Sequence, residues 1–163
     1  MRDAGTTQSS PLFGSRGRLG VMAQRMSTEQ AFAFLATGQR TGKLATTRAD
    51  GRPHVAPVWF VVDGADLVFM TGAATVKGKS LRRDARVAMS VDLEAPPYAF
   101  VMVEGQVSIS TDLEQMLPLS IAIARRYVGE DQADAFGRRN AVAGEMLVRL
   151  HPDRIVAFDD LIG

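Results

Sequence analysis

The chain has 163 residues, the length of one domain, and a net charge of +1 that gives no reason to expect nucleic acid or an acidic membrane as a partner. Its hydrophobic fraction of 46% and charged fraction of 23% are ordinary for a globular protein. Cysteine is absent, which excludes disulfides, thiolate metal sites and cysteine nucleophiles, and no apolar run is long enough to predict a membrane span.

The chain is predicted to begin with a flexible tail, residues 1–26, followed by one folded domain, residues 27–163. The tail is polar and rich in glycine, serine and arginine, and it contains no apolar segment typical of a signal peptide. We therefore expect a cytoplasmic protein. Ser27 and Gln30 have the spacing of a capping box, which predicts a helix that runs from there to Gly38.

Three strands joined by tight turns are predicted next. Residues 43–48 form the first strand, and Asp50 and Gly51 supply a hairpin turn. Residues 55–62 are apolar throughout, which is typical of a strand buried on both faces, and Trp59 is expected in the core. A turn at 63–64 leads to a third strand at 67–71. This order predicts an antiparallel meander.

The second half continues the sheet and adds helices. A short helix is predicted at 76–83, two strands at 85–92 and 98–110, and two helices between Asp112 and residue 139. Segments 145–150 and 155–158 close the sheet. We predict a mainly β domain, a closed or nearly closed barrel of six antiparallel strands with flanking helices.

The segment 67–83 carries the strongest functional signal. A short apolar strand opens, through small and hydroxyl residues, onto a helix that begins with lysines. Free backbone N–H groups and ammonium groups would converge there, and such a place favours a phosphate. The alternative is a solvated helix with scattered basic residues.

Several segments in one order resemble the pyridoxamine 5′-phosphate oxidase-like split-barrel family of flavin and deazaflavin oxidoreductases. The resemblance spans about residues 28 to 160 and lies in the segments 42–47, 50–60, 67–83, 81–87 and 98–105. It implies a six-stranded split barrel that forms a homodimer. In that family two equivalent cofactor sites lie at the subunit interface, and the substrate is a small molecule.

The resemblance also implies roles for individual residues. Lys77 matches the family's phosphate-binding lysine and Lys79 either adds a second charge or is solvated. The strand around Pro57 would lie beneath the cofactor ring, and Tyr98 would reach the ring of the partner subunit. The expected cofactor-binding residues are Val55, Ala56, Pro57, Val58, Thr71, Thr75, Val76, Lys77, Lys79 and Tyr98.

Two departures from the family pattern bear on the cofactor. Flavin-using members of the pyridoxamine oxidase branch have arginines where this chain has Ala56 and Val76. Without those guanidiniums the bidentate grip on an FMN phosphate is weaker. The branch that uses the deazaflavin coenzyme F420 also lacks the first arginine. Coenzyme F420 is therefore the expected cofactor, with FMN as the alternative.

No catalytic side chain and no metal site is predicted. His54 and His151 are the only histidines, and neither has a second ligand at metal-binding spacing. The pairs Arg125-Arg126 and Arg138-Arg139 either reach acidic groups on a cofactor tail or form solvated faces. The cofactor itself would carry the hydride chemistry.

Three functions remain open at this point. The first is an F420-dependent reductase that transfers a hydride to a small, planar and unsaturated organic acceptor. The second is an FMN-dependent oxidase or reductase with the same fold. The third is a protein that binds a flavin or deazaflavin without turnover.

Overall fold

The computed structural model describes residues 23–162. The predicted tail therefore lies largely outside the described residues, which begin shortly before a two-residue strand. That strand, Gln24–Arg25, pairs with Asp159 and Phe158 at the other end of the chain. Within residues 23–162, no helix is both long and apolar enough to cross a membrane.

Strands and helices follow one another in a β-rich order across the described residues. Their bounds are β1 (Gln24–Arg25), α1 (Thr28–Ala36), β2 (Gly42–Thr47), β3 (Pro53–Val58), β4 (Phe60–Asp63), β5 (Asp66–Gly72), α2 (Val76–Arg83), β6 (Arg86–Leu93), β7 (Ala99–Ser110), α3 (Leu113–Val128), α4 (Glu130–Asn140) and β8 (Glu145–Asp159).

The strands form one antiparallel sheet in the order β3-β2-β6-β7-β8-β5-β4, with β1 added to β8. The two end strands, β3 and β4, are separated in sequence by Trp59 alone. Because consecutive residues join its two ends, the sheet must curl round and close on itself at Trp59. The predicted antiparallel split barrel is confirmed, but within the described residues its main sheet has seven strands instead of the predicted six, because β3 and β4 are two strands in place of one.

That division corrects the predicted meander. Residues 55–62 do not form one buried strand, because β3 pairs with β2 at one end of the strand order while β4 pairs with β5 at the other end. The β3 segment is also partly solvent-exposed, and Val55 is 62% exposed. The prediction failed because a run of apolar residues at a barrel closure has the same composition as a strand buried on both faces.

The final two predicted strands are one. Strand β8 runs without interruption over Glu145–Asp159, and it pairs with β5 in its first half and with β7 along most of its length. A β-bulge lies opposite Glu104 and Gly105, where β8 carries one extra residue. The polar stretch around Pro152 resembles a turn in sequence, but the bulge accommodates it within the strand.

The barrel interior is filled by large apolar side chains from every long strand. Phe60, Phe69 and Leu150 are fully buried, and α1 closes one end with Leu35. A second, smaller cluster lies outside the barrel, where α3 packs Met116 against the outer face of β5 and β8. Helix α3 therefore lies over β4 and β5, the latter being the strand that leads into α2, and α4 packs against α3.

The predicted capping box at the start of α1 is present. The Ser27 hydroxyl accepts a hydrogen bond from the Gln30 amide at 3.2 Å, and the Gln30 side chain accepts one from the Ser27 amide at 2.8 Å. We expect Ser27→Ala to lower the free energy of unfolding by about 1 kcal/mol because it leaves a helix amide unsatisfied. Chemical denaturation checks this, with Thr28→Ala as the control on the same turn; equal stability of both variants would contradict it.

Candidate functional site

Helix α2 begins where β5 ends, in the segment that the sequence singles out. The Thr75 side chain caps the helix: its oxygen accepts from the Gly78 amide at 3.0 Å, and its hydroxyl donates to the Gly72 carbonyl at 2.8 Å. The buried Thr71 hydroxyl lies 3.2 Å from the Thr75 hydroxyl. Both threonines therefore hold the strand-to-helix junction, and neither hydroxyl points freely at a ligand.

The first turn of α2 keeps unsatisfied donors. The backbone N–H groups of Val76 and Lys77 have no acceptor among the hydrogen bonds of the described chain. They lie at the positive end of the helix dipole, and no acidic residue lies in that turn. This arrangement suits an anion with several oxygens.

Lys77 extends from that turn into a cleft of about 270 Å³. The cleft lies between β3, β5, α2 and the two helices α3 and α4. Its walls are mostly apolar, with Lys77, Ser120 and Asn140 as the polar members. The lining residues are Pro57, Val58, Trp59, Met70, Lys77, Ser120, Ile123, Ala124 and Asn140.

The Lys77 ammonium has no carboxylate within 4.0 Å among the described residues. Its nearest electrostatic partner is Glu145, which lies on β8 opposite Gly72. Burial raises the pKa of the Glu145 carboxyl, and the positive charge of Lys77 opposes that shift. Since no carboxylate pairs directly with Lys77 among the described residues, its ammonium is available to an external anion.

Trp59 lines the cleft and does not belong to the core, so its predicted position was wrong. The side chain is 41% exposed, and its ring stacks on Tyr127 of α3 with centroids 4.8 Å apart and planes 3° from parallel. The Tyr127 hydroxyl donates to the Arg40 carbonyl at 2.8 Å. Burial raises the pKa of Tyr127. One face of the indole is thus fixed, and part of the tryptophan faces the cleft.

Asn140 is a site residue that sequence reasoning missed. It is the last residue of α4, and its side-chain amide has no hydrogen-bond partner within the described chain. An amide supplies both a donor and an acceptor, so it can read a ligand that carries a carbonyl or N–H edge. Its position beside two arginines is only a weak indication of a binding role. Asn140 lies 63 residues from Lys77, and nothing in the sequence shows that the two residues are neighbours in space.

Lys79 and Val76 line a different cavity. Two positions along a helix of 3.6 residues per turn point about 200° apart, so Lys77 and Lys79 face opposite sides of α2. The second cavity measures about 290 Å³ and is basic. It is lined by Arg48, Ala49, Asp50, Arg52, Val76, Lys79, Ser80 and Arg83. The structure therefore does not bring Lys79 to the cleft that contains Lys77.

Of the remaining predicted site residues, Pro57 and Val58 line the cleft, whereas Val55, Ala56 and Tyr98 do not. Pro57 belongs to β3, an end strand of the sheet, where a missing N–H costs little. Ala56 is partly buried and pairs with Leu44, whereas Val55 faces solvent. Tyr98 is 40% exposed at the start of β7 and is not among the residues that line the cleft.

The arginine pairs are engaged within the chain. Arg126 donates to the carbonyls of Leu35, Gly38 and Phe60 at 2.7, 2.8 and 2.9 Å, and burial lowers its pKa. Arg125 bonds to a glutamate of α4 and Arg138 to an aspartate one turn earlier, while Arg139 stacks on a phenylalanine. Arg126 therefore joins α3 to the barrel and Arg125 joins α3 to α4, whereas Arg138 and Arg139 make their contacts within α4.

Comparisons with known proteins agree with this architecture. The family model described as pyridoxamine 5′-phosphate oxidase matches residues 27–157. A solved structure of a conserved hypothetical protein from Mycobacterium tuberculosis is similar, with 26% identity, a TM-score of 0.73, and coverage of 88% of this chain and 89% of that one.

Two further solved structures are similar. One, described as an F420 reductase, has 28% identity and a TM-score of 0.61, and the match covers 75% of this chain and 93% of that one. The other, a FAD-binding protein from Mesorhizobium loti, has 20% identity and a TM-score of 0.63, with 85% and 98% covered. At that identity it supports the fold alone.

Proposed function

Because the chain belongs to the pyridoxamine 5′-phosphate oxidase family, which contains flavin- and deazaflavin-type oxidoreductases, we propose that it is a reductase that uses coenzyme F420. The acceptor is a small, planar and unsaturated organic compound, and the protein is a cytoplasmic homodimer. The observation that carries the proposal is the unpaired ammonium of Lys77, which shares one cleft with the β3 wall and the tryptophan at the barrel closure.

The residues of the cleft fit a phosphorylated ring cofactor. Lys77 and the free amides of Val76 and Lys77 supply positive charge and donors for the phosphate. Pro57 and Val58 supply an apolar wall for a ring, and Asn140 supplies an unused amide for a polar ring edge. When bound and reduced, the deazaflavin supplies the hydride, while the chain orients it and excludes water.

The choice of F420 over FMN rests on missing guanidiniums. Neither Ala56 nor Val76 can replace the arginines of the flavin-using branch. Val76 lies beside Arg52 and Arg83, but these line the separate basic cavity. Arg52 pairs with an aspartate two residues before it, and Arg83 donates to the Thr47 carbonyl. The similarity to a structure described as an F420 reductase supports the same choice.

The proposed dimer accounts for apolar surface next to the site. Val55 is 62% exposed and Tyr98 is 40% exposed, and Pro57 lies exposed between Ala56 and Val58 on β3. Large exposed apolar side chains near a binding site are typical of an interface. A second subunit placed over β3 would cover Val55 and Pro57, and Tyr98, which does not line the cleft of its own chain, would serve the neighbouring site.

A paired titration tests the cofactor assignment. Trp59 is the only tryptophan and lines the cleft, so its fluorescence reports occupancy directly. We expect coenzyme F420 to quench it with a dissociation constant at least about tenfold below that of FMN, which corresponds to about 1.4 kcal/mol. Equilibrium dialysis of Trp59→Phe with the same two compounds serves as the control for effects of the probe itself.

The opposite preference would make the FMN-dependent enzyme the better assignment, which membership of a family described as pyridoxamine 5′-phosphate oxidase also allows. Turnover is a separate measurement. Reduced F420 is mixed with a panel of conjugated carbonyl and nitro compounds, and its oxidation is followed. Tight binding without oxidation of the cofactor by any acceptor would favour a carrier over an enzyme.

A further inference from the structure

Three polar side chains on the outer face of the barrel form a hydrogen-bonded row remote from the Lys77 cleft. The Ser108 Oγ lies 2.9 Å from Nε2 of His151, and the His151 Nδ1 lies 2.9 Å from Oδ1 of Asp66. From these contacts we propose a second activity: Ser108 is a nucleophile that hydrolyses small carboxylic esters, with His151 as its base and Asp66 as the group that orients the base.

The register of three strands produces this row. On β7, Gln106 pairs with His151 of β8, so Ser108 lies diagonally across from the imidazole. On the other side, continuing the Leu67–Leu150 pairing by one residue places Asp66 opposite His151. Each member of the row therefore sits on a rigid strand, and the arrangement does not depend on a loop.

The bulge in β8 lies beside His151. Gly105 faces that bulge, and a Cβ at Gly105 would lie 2.0 Å from the His151 carbonyl oxygen. Only a glycine allows β8 to approach β7 this closely. Since bulges re-aim the side chains next to them, this close approach helps to set the direction of the imidazole.

The order of the contacts matches the chemistry of an activated serine. Because the carboxylate oxygen of Asp66 only accepts, a neutral imidazole that bonds to it carries its proton on Nδ1, which leaves Nε2 as the acceptor for the Ser108 hydroxyl. Solvent exposure increases from the orienting group to the nucleophile, as this chemistry requires. The Asp66 side chain is 22% exposed, the His151 side chain is 48% exposed, and Ser108 faces solvent. The Asp66 carboxylate additionally accepts a hydrogen bond from Arg149 at 3.3 Å, which holds it in place beside His151.

A cavity for the substrate adjoins the nucleophile. Ser108 lines a space of about 480 Å³ between β7, β8 and α3, whose apolar side is formed by Ile109, Leu119 and Leu147. A short acyl chain would occupy that side. Arg149 lines the same cavity and donates from its two terminal nitrogens to Asp63 and Asp66, so its guanidinium is the positive group of that cavity that can face a developing oxyanion.

The reaction consumes only ester and water. Ser108 Oγ attacks the ester carbonyl while Nε2 of His151 takes the hydroxyl proton; the bond to the alcohol then breaks, and the alcohol leaves with that proton. Water attacks the acyl-serine, its proton passes to Nε2 and on to Oγ, and the acid is released. Because Arg149 is shared with two carboxylates, the oxyanion is weakly stabilised, and the substrate class is an ester with a good leaving group.

The experiment uses the full chain with p-nitrophenyl acetate as the substrate. The release of p-nitrophenolate measures the rate of hydrolysis, and mass spectrometry of the acetylated peptide identifies the residue that is modified. We expect Ser108→Ala and His151→Gln each to lower the rate at least about tenfold, since a positioned general base contributes roughly 10²-fold or more. Asp66→Asn is expected to lower it as well. Ser90→Ala, an outer-face serine on β6 with no imidazole bonded to it, is the control and retains the rate.

Acetylation at Ser108 in the wild type, lost in Ser108→Ala, supports the proposal. A wild-type rate equal to the uncatalysed rate, an adduct elsewhere, or an unchanged rate in folded Ser108→Ala overturns it. Circular dichroism establishes that the variants are folded. The outcome is independent of coenzyme F420 because no redox cofactor is added and the row lies outside the Lys77 cleft.

Discussion

Lys77→Ala is expected to weaken binding of the phosphorylated cofactor at least about tenfold, because one charge-assisted hydrogen bond contributes roughly 1.5–3 kcal/mol. Among the described residues the Lys77 ammonium has no ion-pair partner, so removing it leaves no directly paired carboxylate behind. Its electrostatic interaction with Glu145 acts over a longer distance than an ion pair. The fold should therefore be retained, and the melting temperature should stay close to that of the wild type. Titration of Trp59 fluorescence with coenzyme F420 measures the effect.

Lys79→Ala is the matched control for this prediction. It removes the same charge two residues along the same helix, but from the side that faces the separate basic cavity. We expect its affinity for the cofactor to change by less than about threefold, as for an exposed charge screened by solvent. Equal losses in both variants would mean that only the general charge of α2 matters, and an unaltered affinity in Lys77→Ala would refute the phosphate assignment.

Helices and their ends follow from local sequence signals. Helix α2 occupies Val76–Arg83, the residues predicted for it, and Thr75 is its cap. The capping box at Ser27 and the end of α3 at Gly129 were likewise readable, because each depends on a few neighbouring side chains. Such features need no knowledge of distant residues, and the sequence is a sufficient guide to them.

The barrel closure at Trp59 could not be predicted from the sequence. A run of apolar residues indicates burial, yet it does not show that one half pairs with β2 and the other with β5. The pairing depends on which strands are neighbours in space, and that is decided by contacts across the whole chain. For the same reason Trp59 was predicted in the core: its stacking partner Tyr127 lies on a helix that the local pattern could not place.

Some residues of the candidate site could be predicted from the sequence, and others could not. Lys77 and the β3 residues Pro57 and Val58 could be named from the sequence through the family resemblance, and the structure brings them together in one cleft. Asn140 and Glu145 lie on elements far along the chain from α2, and no sequence pattern indicates that they lie near Lys77. Lys79 could have been separated from Lys77 by helical periodicity alone, since residues two apart do not share a helix face.

The sequence contains no signal for the proposed row of Ser108, His151 and Asp66. Its members are separated by 43 and 85 residues, and each is an ordinary outer-face residue of a strand. Only strand register brings them together. The site was therefore invisible to motif reading, which recognises catalytic groups by fixed spacing.

Gly78→Ala is expected to destabilise the protein and to loosen the cofactor cleft together. A Cβ at this position would lie 2.3 Å from the Gly72 carbonyl oxygen and 3.1 Å from the Ala73 Cα, both of which are backbone atoms. Relieving that contact requires α2 to move away from the end of β5. Overpacking of this kind costs about 1–3 kcal/mol, which outweighs the gain of roughly 1 kcal/mol that alanine gives a helix interior.

Chemical denaturation and cofactor titration of the same samples test this second prediction. We expect the free energy of unfolding to fall by about 1 kcal/mol, which is the mid-range overpacking cost less the gain in helix propensity. The affinity for coenzyme F420 should fall as well, because the amides of Val76 and Lys77 move with the helix. Arg82→Ala, an exposed change in the same helix, is the control and should leave both quantities near their wild-type values. If Gly78→Ala is as stable as Arg82→Ala, then α2 does not need its close contact with β5. The first turn of the helix would then be free to shift, and a fixed phosphate site could not be built on it.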